Sequence, residues 1–331
     1  MGDASPICVT GGAGYIGSVL TERLLALGHP VTVLDTLSFT DRGLAHLRGH
    51  PGLRIVEGDI RDPSAVRHAF EGAWGVVHLA AVANDPSGDL DPRLTRSINL
   101  DPYPTLLKAA RRAGVRRFVN ASTFSVYGIQ DAPDVTEDHP LRPLKEYSIC
   151  KAKAEPLVAD ADGGGLTTVS LRCATVCGWS GRMRFDLIVN TLVGMAVRDG
   201  RLTVWGGAQQ RPQIHVEDMA DAFITMLEAP AGAVGGKIFN VGGENASILG
   251  IARTIAQRMG GIEVEEAPAR EDERSYHVNW DRIASAVGFR ARRPIASAVE
   301  GILAAREAGL WTDASLPIYS NLKHMAALGV G

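Results

Sequence analysis

Tyr147 and Lys151 stand four residues apart in Tyr147-Ser148-Ile149-Cys150-Lys151. On a helix that spacing puts both side chains on one face. A free phenol has a pKa of about 10, so at neutral pH roughly one in a thousand is ionised. A nearby positive charge favours the phenolate. Such a pair can take a proton from an alcohol while the carbon that bears it is oxidised. A third hydroxyl should steady the reacting oxygen. Asn120-Ala121-Ser122-Thr123-Phe124-Ser125 follows a short apolar run and offers three. We assign that role to Thr123 and give Ser122 a lesser, cofactor-side role.

Oxidising an alcohol requires a hydride acceptor, and Thr10-Gly11-Gly12-Ala13-Gly14-Tyr15-Ile16-Gly17 is suited to hold one. It follows a strand candidate and opens a helix candidate. Gly11 permits a tight turn, Gly14 lets backbone approach a pyrophosphate, and Gly17 allows close helix–sheet packing. Asp35 ends the next strand candidate, 18 residues past Gly17. Its carboxylate suits ribose hydroxyls and repels a 2′-phosphate by on the order of 4 kcal/mol at about 4 Å and an effective dielectric near 20. The expected cofactor is therefore NAD rather than NADP.

These residues need a scaffold, and the first half of the chain alternates strand and helix. Strands are expected at Ile7–Thr10, Val31–Leu34, Leu53–Val56, Val76–Leu79, Arg117–Ala121 and Thr167–Leu171, and helices at Tyr15–Leu27, Pro102–Ala113 and Glu146–Ala161. Nearly continuous apolar strands between helices predict a parallel sheet covered on both faces. The second half differs. It has helix candidates at Phe185–Arg198, Val216–Glu228, Ser247–Met259 and Ile295–Ala308, and short strands near Leu202–Trp205, Ile238–Val241 and Glu263–Glu265. The tail from Ala314 onward shows no strong pattern.

Composition sets the outer limits. The 331 residues are 45% hydrophobic and 21% charged, with a net charge of −3. That excludes a largely disordered chain and gives no overall basic footprint for nucleic acid or an anionic membrane. No apolar stretch approaches the ~20 residues of a membrane span. The expected location is the cytoplasm. Cys8, Cys150, Cys173 and Cys177 lack zinc-site spacing and read as buried free thiols, and no metal site is expected. His78 ends an apolar strand and reads as structural.

Taken together, the sequence resembles the extended short-chain dehydrogenase/reductases of the NAD-dependent nucleotide-sugar epimerase/dehydratase family. The resemblance covers about residues 1–310. It rests on Gly11/Gly14/Gly17, Asp35, Gly58-Asp59-Ile60-Arg61-Asp62, His78-Leu79-Ala80-Ala81, Asn99, Thr123 ahead of Val126-Tyr127-Gly128, Tyr147/Lys151, and Arg211 ahead of Ile214-His215-Val216-Glu217-Asp218. It implies a Rossmann-type doubly wound parallel sheet over 1–171, with a segment near 206–245 returning to it. A smaller mixed α/β substrate-binding lobe would occupy 172–331. It implies cofactor contacts from Gly11, Gly14, Tyr15, Ile16, Gly17, Asp35, Asp59, Ile60, Leu79, Ala80, Ala81, Asn99, Ser122, Tyr147 and Lys151. For a nucleoside-diphosphate sugar it implies Thr123, Thr175, Asn190, Arg211, Arg270 and Asp272. A homodimer is implied as well.

Two departures narrow the chemistry. Sugar 4,6-dehydratases of this family usually follow the active-site threonine with Asp-Glu, whereas Thr123 is followed by Phe124-Ser125. Relatives often carry Asn and Tyr where Thr175 and Cys177 stand. The resulting expectation is C4 epimerisation through a transient 4-keto sugar on tightly bound NAD. The alternatives are a nucleotide-sugar oxidoreductase, a 4,6-dehydratase, or a non-catalytic NAD-binding protein.

Overall fold

The computed structural model describes residues 4–130, 132, 134–268 and 277–330. Its first half contains β1 (Ile7–Thr10), α1 (Tyr15–Ala26), β2 (Val31–Asp35), β3 (Leu53–Glu57), α2 (Pro63–Phe70), β4 (Gly75–His78), α3 (Asp85–Gly88), α4 (Pro92–Asn99), α5 (Tyr103–Arg112), β5 (Arg117–Thr123), α6 (Glu146–Asp160) and β6 (Thr167–Cys173). The second half contains β7 (Thr175–Cys177), α7 (Ile188–Asp199), β8 (Arg201–Trp205), β9 (Gln210–His215), α8 (Val216–Glu228), α9 (Ala231–Val234) and β10 (Lys237–Val241). It continues with β11 (Glu244–Ser247), α10 (Ile248–Arg258), β12 (Glu263–Ala267), α11 (Asp281–Val287), α12 (Ile295–Glu307) and α13 (Asn321–Ala327).

Seven strands form one parallel sheet in the order β10-β6-β5-β4-β1-β2-β3. Alternation along each strand explains why both faces are apolar. Val9, Val33, Val77 and Val119 join the core that includes Leu20 and Leu24 of α1 and Phe223 of α8. Their neighbours Cys8, Leu34, Val76 and Phe118 join the opposite core, with Val66 and Phe70 of α2, Leu106 of α5 and Val158 of α6. The strand order reverses direction at β1, so the carboxyl ends of β1 and β4 flank a crevice suited to a ligand.

A smaller set of elements stands at that end of the sheet. β11, β9 and β7 form one small sheet and β12 pairs with β8 in another. Helices α7, α10 and α12 pack against one another beside them. β9 escapes the sequence pattern because Gln210-Arg211-Pro212-Gln213 is polar, and it is held by backbone pairing to β7 and β11. Helix α7 starts at Ile188 rather than Phe185. The Phe185 ring is instead packed on Trp311 and Tyr319, with centroids 4.6 and 5.4 Å away.

The tail is ordered where no pattern was expected. Ser320 caps α13 by accepting from Lys323 N, and Met325 is buried. The four cysteines are free and buried. Among the described residues, no helix is long and apolar enough to cross a membrane.

Candidate active site

A cavity of about 490 Å³ opens at the carboxyl ends of β1, β2, β4 and β5. The glycine turn forms its floor. Gly11 has φ +73°, and a Cβ there would lie 2.7 Å from Ala80 N. No larger residue fits that conformation and that approach together. Gly17 lets α1 pack closely on the turn that ends β1, since a Cβ there would strike Gly11 O and lie 2.7 Å from Gly12 Cα, and Gly12 lets the turn pack on β2, where its Cβ would meet Val33 Cγ2 at 2.6 Å. Asp35 holds the turn: its carboxylate accepts from Ala13 N and Leu37 N, each at 3.0 Å. Burial raises the Asp35 pKa, while these amides and Arg182 oppose the rise. At one flank Asp59 accepts three hydrogen bonds from the Arg61 side chain, and that pairing lowers its pKa.

Helix α6 presents Tyr147 and Lys151 to the same cavity, opposite Thr123 at the end of β5. The Thr123 side chain hydrogen-bonds Tyr147. Lys151 is 3% exposed and donates from Nζ to Ala121 O at 2.8 Å. Burial lowers its pKa to about 8. Burial also pushes the Tyr147 phenol up, with Asp85 adding to the rise and Thr123 opposing it. Among the protein's own groups burial dominates the Tyr147 phenol, and Lys151 is aimed at the strand carbonyl; the positive charge expected to favour the phenolate is that of the nicotinamide as well as of Lys151.

Behind Thr123 and Tyr147 lies a buried polar network. Ser122 Oγ donates to Glu155 Oε1 at 2.6 Å. Arg172 grips the same carboxylate through Nε at 2.9 Å and Nη2 at 2.7 Å. Its Nη1 donates to Tyr127 Oη and Glu137 O, and Tyr127 Oη donates to Asn240 Oδ1. The network ties α6, β5, β6 and β10 together below Thr123. His78 is buried against Thr10 Oγ1 at 2.7 Å, and burial lowers its pKa to about 3.

A model of the NAD dependent epimerase/dehydratase family matches residues 7–242. The chain belongs to that family. It is 33% identical over 296 residues to a dTDP-glucose 4,6-dehydratase of Streptomyces griseus, spanning 86% of this chain and 88% of the relative. It is 32% identical over 282 residues to a UDP-glucose 4-epimerase of Streptomyces lividans, spanning 79% and 84%. The dTDP-glucose 4,6-dehydratase DesIV of Streptomyces venezuelae, solved with NAD bound, superposes with a TM-score of 0.81 at 28% identity, covering 92% of this chain and 98% of that one.

NAD is the cofactor of this epimerase/dehydratase family, and the glycine turn fits it: the space that a Cβ would fill at Gly11 is where backbone must approach a phosphate. Gly14, Tyr15, Ile16, Asp35, Asp59, Ile60, Leu79, Ala80, Ala81 and Ser122 all line the cavity, as do Thr123, Tyr147, Lys151 and Thr175. Asn99 does not line it. Its amide exchanges hydrogen bonds with Val82 N and O and so fixes the cavity wall from behind. The Ser122 hydroxyl donates its proton to Glu155. Asn190 is fully buried and is spent on Gly178 N, Tyr15 Oη and Arg184 O, which makes it a joint between α1 and α7 rather than a sugar contact. Arg211 is on β9 beside the lining residue Pro212, and its guanidinium donates to Gln210 O and Gln209 Oε1. Arg270 and Asp272 lie outside the described residues.

Several lining residues of this family member lack a sequence signal at the level of short motifs: Phe39, Arg182, Arg184, Asn321, Met325 and Leu328. Arg184 pairs with Asp186 through Nε at 2.8 Å and Nη2 at 3.0 Å. Asn321 and Met325 of α13 and its C-cap residue Leu328 recur at helical spacing after the Ser320 cap, which is the signal that could have exposed it.

Proposed function

We propose that this enzyme is a nucleotide-sugar C4-epimerase that keeps its NAD through turnover. The observation that carries the reading is the Thr123–Tyr147 hydrogen bond at the cavity wall, with Phe124 and Ser125 as the next two residues. Dehydration would need a proton donor for the departing hydroxyl and a base for the adjacent carbon. Phe124 is a buried ring and supplies neither.

In this reading Tyr147 acts as the phenolate, favoured by the positive charges of Lys151 and the nicotinamide, and takes the proton from the sugar C4 hydroxyl, while Thr123 holds the same oxygen. When bound, NAD supplies reversible hydride acceptance at that carbon. Lys151 bridges from Ala121 toward the nicotinamide ribose. Arg211, with Arg270 and Asp272, holds the diphosphate of the nucleotide sugar, so the 4-keto sugar can turn over without leaving. Thr175 borders the sugar. The arginine forks suit phosphate oxygens. The 4-epimerase relatives support the reading, and the wall formed by α13 suits a retained cofactor.

The enzyme should interconvert C4-epimeric nucleotide sugars with no added cofactor, followed by NMR of the product. Sustained change in absorbance at 340 nm would favour the oxidoreductase, and loss of 18 Da the dehydratase. The same reading places a homodimer in the cytoplasm; light scattering should then give twice the 35.2 kDa chain mass.

A further inference from the structure

Arg182 is 3% exposed and lines the cofactor cavity. It arrives on the segment that follows β7 and crosses the glycine turn. Ser180 Oγ donates to Tyr15 O at 2.8 Å and lies 3.0 Å from Ser18 Oγ, which fixes that segment to the start of α1. The stem of Arg182 begins at the turn: a Cβ on Gly43 would be 3.2 Å from both Ala13 O and Arg182 Cβ. The guanidinium lies over the Phe39 ring, 4.9 Å from its centroid. Nη1 donates to Met183 O at 3.1 Å and Nη2 to Asn321 Oδ1 at 2.7 Å.

These partners are all neutral. Asp35 and Asp186 act on Arg182 through space, yet among the described residues it forms no ion pair, and burial draws its pKa down to about 10. The other two guanidiniums of the cavity wall are ion-paired, Arg61 with Asp59 and Arg184 with Asp186. A buried guanidinium with no ion-pair partner is destabilising, and a bound anion relieves it. The segment that carries Arg182 is fixed beside the N-terminus of α1, where an anion is also favoured.

We propose that Arg182 is the cation that meets the pyrophosphate of NAD, carried to the glycine turn by the second lobe and aimed by Asn321 of α13. The dinucleotide's phosphates supply the missing counter-charge. Asn321 is itself anchored, since its N donates to Asp186 Oδ2 at 2.9 Å. Cofactor retention is thereby linked to the C-terminal helix. This assignment rests on the dinucleotide cavity and not on the epimerase reading, so the two fail separately.

The test is calorimetric titration of dinucleotide-stripped protein with NAD, ADP, adenosine and adenosine 2′-monophosphate. Arg182→Met keeps the stem on Phe39 and removes the charge. Affinity for NAD and ADP should fall roughly tenfold or more, with adenosine changed less than about twofold and Arg182→Lys recovering part of the loss. Equal losses for ADP and adenosine, or no loss for ADP, would overturn the proposal. So would a larger loss for adenosine 2′-monophosphate than for ADP, which would place the guanidinium at the 2′ position. Should Arg182→Met fail to fold, Asn321→Ala serves instead: NAD should dissociate several-fold faster from it, and an unchanged rate would contradict the assignment.

Discussion

Lys151 Nζ donates to Ala121 O across 2.8 Å, so this lysine is moored to the strand that carries Thr123, two residues on. The mooring fixes the distance between α6 and β5, and with it the meeting of Tyr147 and Thr123. It is made at the cost of a buried ammonium. Its folded pKa of about 8 lies below the usual lysine value of 10.5. The unfolded chain therefore binds more protons between those two values, and stability rises with pH across that window. At pH 7 the penalty amounts to about 3 kcal/mol.

Lys151→Met should accordingly unfold at higher denaturant than the wild type at pH 7. The gap should narrow as pH rises from 8 toward 10.5. Urea midpoints at several pH values check this. A gap that stays constant with pH would show that the lysine is not desolvated.

Tyr147→Phe should retain the melting temperature to within a few degrees and lower kcat by roughly 10²–10⁴-fold, the usual worth of a positioned acid–base group. Thr123→Val removes one hydrogen bond to a neutral partner and should cost roughly tenfold. Steady-state kinetics on both variants would check the order. A larger loss in Thr123→Val than in Tyr147→Phe would reassign the base.

Glu155→Gln should destabilise the fold by about 3–5 kcal/mol in urea unfolding, because Arg172 would remain charged among buried groups. Replacement of both partners by apolar residues of similar volume should cost far less. If the single variant is as stable as the wild type, the network does not hold the floor of the site.

His78 governs an acid limb. Its folded pKa of about 3 is below the ordinary 6.5, with burial the main cause and Lys151 the second. The unfolded state takes up the proton first, so stability falls as pH drops from 6.5 toward 3, by on the order of 4–5 kcal/mol in full. Melting curves of His78→Gln should show a flatter dependence over that range. An unchanged slope would assign the acid sensitivity elsewhere.

The parts legible in the sequence are those where local pattern and chemistry coincide. β1 through β6 and helices α1, α5 and α6 follow from apolar runs and glycine punctuation, and Gly11, Asp35, Tyr147 and Lys151 follow from spacing, whereas α2, α3 and α4 carry no such signal. What remained hidden depends on tertiary pairing. Arg172 interrupts the apolar run Val169–Cys173, and only its partner Glu155, 17 residues earlier on α6, explains it. Asn99 and Asn190 carry side chains fit to bind ligands, yet their amides are consumed by Val82, Gly178 and Tyr15. Asn321 reaches Arg182 across 139 residues of chain, a contact that no local reading predicts.

The central claim is that hydride leaves one sugar carbon and returns to it, without dehydration or net redox change. Turnover of a C4-deuterated nucleotide sugar in ordinary water tests this most directly, with NMR of both epimers. The account predicts a C4-epimeric product that keeps its deuterium at C4 and has unchanged mass. Deuterium lost to water or moved to another carbon, or a product lighter by 18 Da, would contradict it.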